Sequence, residues 1–201
     1  MFYGRYHVQR IREKVAGVDF SSPLSKEQAG TGLYQDALYY ASSAYVPELK
    51  KAMKFCRINA SDAILDYGSG KGAVLVELSK YPFKKICGVE ISPVLLEIAN
   101  RNFERLGVTN VTTILADATH YYDIDEYNYF YFFNPFEGAV FKAVIRNIVL
   151  SAEREPRSVR IIYYHPKCHQ LIMDTGRFNV EKTFVDAARK MNIYKLNAAS
   201  N

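Results

Sequence analysis

The sequence predicts an open α/β fold, a doubly wound and mostly parallel sheet with helices on both faces. Three observations carry that expectation. Apolar runs of strand length alternate five times with helical stretches. Three successive runs end in an acid, Asp66, Glu90 and Asp117, and the carboxyl ends of parallel strands are where open α/β sheets bind ligands. Between the first run and its helix lies a glycine-rich turn, Gly68-Ser69-Gly70-Lys71-Gly72, of the kind that lets a backbone approach a ligand closely.

With 201 residues and 49% hydrophobic content, the chain supports one sizeable core. The segment before Val46 reads as an arm over the cofactor, and residues 46–201 as the single binding domain. The formal charge of +5 is mild, so an acidic partner is permitted and not required. There is no dedicated nucleic-acid motif. No apolar stretch is long enough to span a membrane, and the first residues, with Arg5, Arg10 and Arg12, lack a signal-peptide core, so a soluble cytoplasmic protein is expected. Cys56, Cys87 and Cys168 are far apart and odd in number, which argues against a disulfide framework.

The elements follow in order. Residues 1–16 mix aromatic and basic side chains, and 17–32 is a Ser-, Gly- and Pro-rich loop. Tyr34, Tyr39, Tyr40 and Tyr45 pack at the surface or fold over the ligand. Pro47 opens a helix to about Arg57, with Leu49, Met53 and Phe55 as core contacts. Ala63 to Tyr67 is a buried strand, and Ala73 to Tyr81 a helix that stops before Pro82. Lys85 to Ile91 is the second strand. Ser92 caps a helix from about Val94 to Leu106, and Gly107 ends it. Val111 to Ala116 is the third strand. Tyr127 to Phe133 is nearly all aromatic, as a central strand covered on both faces should be. Gly138 to Glu155 is a helix, Ser158 to Tyr164 the fifth strand, and Val180–Val185 with Met191–Leu196 a closing pair.

Two cofactor classes compete for the glycine turn. Gly68-x-Gly70-x-x-Ala73 fits a dinucleotide fingerprint loosely, but Asp66 would face pyrophosphate with like charge. The same carboxylate suits a ligand carrying an ammonium and a sulfonium. Leu65-Asp66-x-Gly68-x-Gly70-x-Gly72 resembles motif I of the class I, seven-stranded S-adenosylmethionine-dependent methyltransferases. Ser-Ala-Tyr-Val-Pro, the glycine turn and Gly-Val-Glu are also similar to the non-SET histone-lysine methyltransferases and their prokaryotic relatives. That resemblance implies seven strands with the last antiparallel, and a cofactor site built from Asp66, Tyr67, Gly68, Ser69, Gly70 and Gly72 for the methionine part. Glu90 and Ile91 would serve the ribose, Asp117 and Ala118 the adenine. Glu90 stands 24 residues beyond Asp66, near the ~20 at which nucleotide-binding units place their ribose acid, and its two oxygens can accept from vicinal hydroxyls.

Asn134-Pro135-Phe136-Glu137 only partly reproduces the substrate-side motif of amine-methylating relatives, whose second proline is missing. Asn134 is therefore read two ways, as the catalytic partner of a nucleophile, bordering the cofactor, or as part of a rigid turn. The acceptor stays open: protein lysine, a nucleobase or a small molecule. A non-catalytic Rossmann-like binding module and an NAD-dependent oxidoreductase are the alternatives. His165, Cys168 and His169 invite a zinc assignment, but three ligands within five residues form a poor tetrahedral set, and no metal is expected. His165 stands at a strand end where substrate-facing groups lie. Oligomeric state is not readable.

Overall fold

In a computed structural model, residues 11, 13–25, 27–30, 46–185 and 189–197 are described; the tyrosines between Tyr34 and Tyr45 lie outside them. The elements are α1 (Pro47–Cys56), β1 (Ala63–Tyr67), α2 (Ala73–Leu78), β2 (Lys85–Glu90), α3 (Pro93–Leu106), β3 (Thr112–Leu115), β4 (Tyr129–Phe132), α4 (Gly138–Arg154), β5 (Arg160–Tyr164), α5 (His169–Met173), β6 (Phe178–Val185) and β7 (Lys190–Leu196). The seven strands lie in the order β3-β2-β1-β4-β5-β7-β6. β1 to β5 are parallel, and β7 runs antiparallel to both β5 and β6. The chain builds outward from β1 to β3, then returns to set β4 against β1. That reversal opens a crevice above the carboxyl ends of the central strands.

Alternation along each strand divides the core into two layers. Leu65, Tyr67, Phe130, Phe132, Ile161 and Tyr163 face Phe141, Val144, Ile145 and Ile148 of α4. On the other side, Ile64, Ile86, Tyr129, Tyr131 and Ile162 meet Leu49 and Met53 of α1, Leu75 and Leu78 of α2, and Phe103 of α3. The helix limits follow their signals. Ser92 Oγ accepts from the Leu95 N–H at 3.1 Å, and Gly107 closes α3 with φ 66°.

Three expectations change. Phe55 is 38% exposed, because a helix turns ~100° per residue and position 55 falls well off the stripe shared by Leu49 and Met53; its ring meets Phe184 edge-on at 6.2 Å. The helix after the turn ends at Leu78, short of Tyr81. Helix α5 goes unread in the sequence, since five residues are too few to show a period. At the far edge, β6 carries a bulge between Val180 and Lys182.

Arg157 staples the far end of α4. Its guanidinium donates to the carbonyls of Ile124, Tyr127, Ser151 and Glu155 and to Ser151 Oγ, at 2.8–3.1 Å. Replacing it leaves several carbonyls without donors. Arg157→Met should therefore cost roughly 2–3 kcal/mol in urea unfolding, with the native far-UV spectrum retained.

Candidate functional site

The turn is shaped by close approaches. Gly68 has φ 70°, and a Cβ there would sit 2.3 Å from the Pro135 Cβ, so only glycine fits both the left-handed backbone and the neighbouring chain. Gly88 does the same from β2: a Cβ would lie 2.6 Å from Ser69 Oγ. The sequence offered that signal, a glycine inside an apolar strand, and it marks where the turn presses on the sheet. The Gly68 and Ser69 N–H groups both donate to the Val89 carbonyl, at 2.8 and 3.2 Å. Gly72 stands at the N-cap of α2.

Glu90 braces the site. Its Oε2 accepts from the Gly70 N–H at 2.9 Å, and its Oε1 from the N–H groups of Ile91 and Ser92 at 2.9 and 3.0 Å. Burial pushes the carboxyl up, and the three N–H groups act in the opposite direction. Oε2 keeps one acceptor lone pair for a ligand hydroxyl.

Asp66 is paired in register with Gly88 on one side and Tyr131 on the other, so its side chain lies on the α1 face. It is 3% exposed, and among the described residues no donor reaches it. Burial raises its pKa well above the usual carboxylate range, and the Glu90 charge adds to the shift. Tyr67 departs from the expectation. Its ring points to the α4 side, stacked on Phe130 and Phe132 at 6.2 and 5.2 Å, because it is odd in register where Asp66 is even. Only its main chain reaches the turn.

At the third strand end, Asp117 Oδ1 accepts from the Thr119 N–H and Oγ at 2.8 and 2.7 Å. Burial works against ionisation, yet Thr119 and the nearby His120 hold the carboxyl below its ordinary value. One oxygen thus makes the turn and the other stays at the rim; Ala118 next to it is buried. Asn134 is 5% exposed with φ 51°, a conformation asparagine tolerates. Its Oδ1 accepts from the Tyr163 hydroxyl at 3.0 Å, and that hydroxyl accepts from the Cys168 N–H at 3.3 Å. Tyr163 is the partner sequence reasoning missed.

The basic residue in the turn does not face the crevice. Lys71 Nζ donates to Asp19 Oδ2, Ser22 O and Ser22 Oγ at 2.7–2.8 Å, and Asn102 ties the Lys71 and Asp19 carbonyls together at 3.0 and 2.9 Å. The arm is therefore fastened to the outer side of the turn. A buried, uncompensated carboxylate without a free lysine beside it suits a cationic ligand and opposes a pyrophosphate. His165, Cys168 and His169 do not gather: the His169 ring nitrogen Nδ1 bonds to the Tyr194 hydroxyl at 2.8 Å, and Cys168 is buried over Tyr163.

Residues 64–153 match the family described as a methyltransferase domain, a span holding Asp66, the turn, Glu90, Asp117 and Asn134. Over 61 residues the chain is 33% identical to human EEF1A lysine methyltransferase 2, covering 30% of this chain and 26% of that protein. Over 97 residues it is 30% identical to the protein-L-isoaspartate O-methyltransferase of Thermotoga maritima, covering 47% and 30%. The chain thus spans under a third of the length of these curated relatives. An RNA methyltransferase from Salinibacter ruber in complex with S-adenosyl-L-homocysteine shares the fold, with TM-score 0.61 and 18% identity over 80% of this chain and 97% of that one.

The raised Asp66 pKa makes a stability statement. Because the folded-state value lies above that of the unfolded chain, ionisation costs the folded state at neutral pH, and the cost fades as pH falls toward the unfolded value. Asp66→Asn should thus stabilise the unliganded protein at pH 7 by roughly 1–2 kcal/mol, a melting temperature about 2–8 °C higher. The advantage over wild type should shrink toward pH 4 in parallel thermal melts.

Proposed function

We propose that this chain, which carries a methyltransferase domain on the class I fold, is an S-adenosylmethionine-dependent methyltransferase whose acceptor is an amine nitrogen. The observation that carries the reading is Asp66: a buried carboxylate with no partner among the described residues, at the end of the central strand beside the glycine turn. Such a group is costly unless a cationic ligand offsets it, and the ligand in question has two positive centres. Glu90 gives one ribose hydroxyl the free lone pair of Oε2, its Oε1 being filled by backbone N–H groups, Asp117 gives the adenine amine its outer oxygen, and Ile91 and Ala118 wall the ring.

Bound there, S-adenosylmethionine supplies a methyl group on a sulfonium, and transfer to a nucleophile leaves S-adenosylhomocysteine. The chain's own part is to orient and to exclude water, which supplies most of the rate when the methyl is already activated. The Tyr163 hydroxyl fixes the Asn134 amide, whose oxygen retains a second lone pair for an N–H of the incoming amine. The backbone at Asn134-Pro135 is held against Gly68, so acceptor and donor sides share one rigid contact. A cytoplasmic setting agrees with three cysteines that remain free thiols.

Calorimetry with S-adenosylhomocysteine should give micromolar binding that Glu90→Ala abolishes; well-folded wild-type protein that does not bind it would overturn the reading. Labelled-methyl transfer into fractionated cell extract identifies the acceptor. With that acceptor, Asn134→Ala should lower kcat about 100-fold, a usual loss for a misaligned reacting group, while cofactor affinity changes little. Full activity in that variant confines Asn134 to the turn.

A further inference from the structure

Two aromatic rings and a row of cations meet where the end of α1 packs on β6. Phe55, in the last turn of α1, is 38% exposed, and its ring stands against Phe184 at 6.2 Å and 80°. Around this pair lies a pocket of about 710 Å³, lined by Lys51, Lys54, Phe55, Arg57, Arg160 and Phe184, a volume within the ~300–1,000 Å³ of small-ligand sites. Arg160 and Tyr129, whose hydroxyl accepts from Arg160 at 3.5 Å, are the first residues of β5 and β4. The pocket therefore lies at the other end of these strands from Asn134.

The charges there are unbalanced. Arg160 is spent on Glu181, its Nε and Nη2 donating to the two carboxylate oxygens at 2.7 and 3.1 Å. Lys51 stands 3.8 Å from Glu48 Oε1 with its own side chain 57% exposed. Among the described residues no acid pairs with Lys54 or Arg57, and Lys182 adds a cation over the Phe184 ring at 5.9 Å. Lys51, Lys54 and Arg57 follow one another at three-residue steps, ~4.5 Å of helix axis each. A cation in the last turn complements the helix dipole, which accounts for Lys54 but not for Lys51 or for an exposed ring beside them.

The combination selects the ligand. Cations alone would take any polyanion, whereas an edge-on ring pair leaves ring face for a further flat π-system. Single-stranded nucleic acid carries both parts, phosphates for the cations and bases for the rings. An acidic peptide segment would pair with the cations and leave the rings without a stacking partner. We infer that this pocket binds single-stranded nucleic acid, with Phe55 stacked on a base and Lys51, Lys54 and Arg57 holding the phosphates beside it. The site is separate from the cofactor crevice and does not depend on the methyl-transfer reading.

Fluorescence anisotropy of a labelled oligoadenylate of about ten nucleotides, within the ~4–16 that such sites cover, tests this on the full chain without cofactor. Wild-type protein should bind the strand at low salt, and log affinity should fall against log salt with a slope of about −2, the value for three phosphates of a single strand. Phe55→Ala should weaken binding about tenfold, as loss of one stacked base does, with the slope unchanged, and Phe55→Tyr, which keeps a ring to stack on, should bind as wild type does. Lys54→Gln combined with Arg57→Gln, both on exposed side chains, should cut the slope to about a third. Oligoglutamate of the same length should bind more weakly than the strand, and equally to wild type and Phe55→Ala. No binding by wild-type protein, a Phe55→Ala variant within about twofold of wild type, an unchanged slope in the double variant, or oligoglutamate bound as tightly as the strand would each overturn the site.

Discussion

The carboxylate of Glu90 is the constraint on which the site depends. It belongs to β2 by sequence, yet one of its oxygens holds the glycine turn at Gly70 and the other gathers the N–H groups that begin α3. Without a side chain there, the turn after β1 and the first residues of α3 would lose the one carboxylate that bonds them both. The brace also sets the electrostatics: a second acid this close makes Asp66 harder to ionise, so the site is tense toward anions and receptive to positive charge.

The fold was largely legible, for physical reasons. Parallel strands covered on both faces must be continuously apolar, and Tyr129 to Phe132 and Ile161 to Tyr164 announce themselves in that way. Ser92, Pro93 and Gly107 delimit α3 because each solves a helix-end problem that few residues solve. The three acids could be placed at strand ends because each directly follows, or ends, an apolar run of strand length. Their present partners could not. Nothing in sequence spacing reveals that Glu90 already spends three lone pairs on backbone, that Asp117 turns one oxygen inward to Thr119, or that Asn134 answers to Tyr163, because these contacts join residues through space.

The turn is held from outside as well as from the sheet. The lysine of the glycine-rich turn is drawn outward by Asp19 and Ser22, with Asn102 holding both carbonyls. The turn is thus stiffened from its outer side, while its inner side stays free of cations. The Glu13 carboxylate accepts from the Phe20 and Ser21 N–H groups and from the Ser21 hydroxyl, which closes the loop that carries Asp19.

The two rims of the sheet end differently. On one side β3 is four residues long; on the other β6 is twice that, and among the described residues it pairs only with β7, the kind of outer rim a second copy could extend. The bulge at Val180 to Lys182 breaks the straight run of that rim, and Glu181 and Lys182 set opposite charges along it, Glu181 held by Arg160.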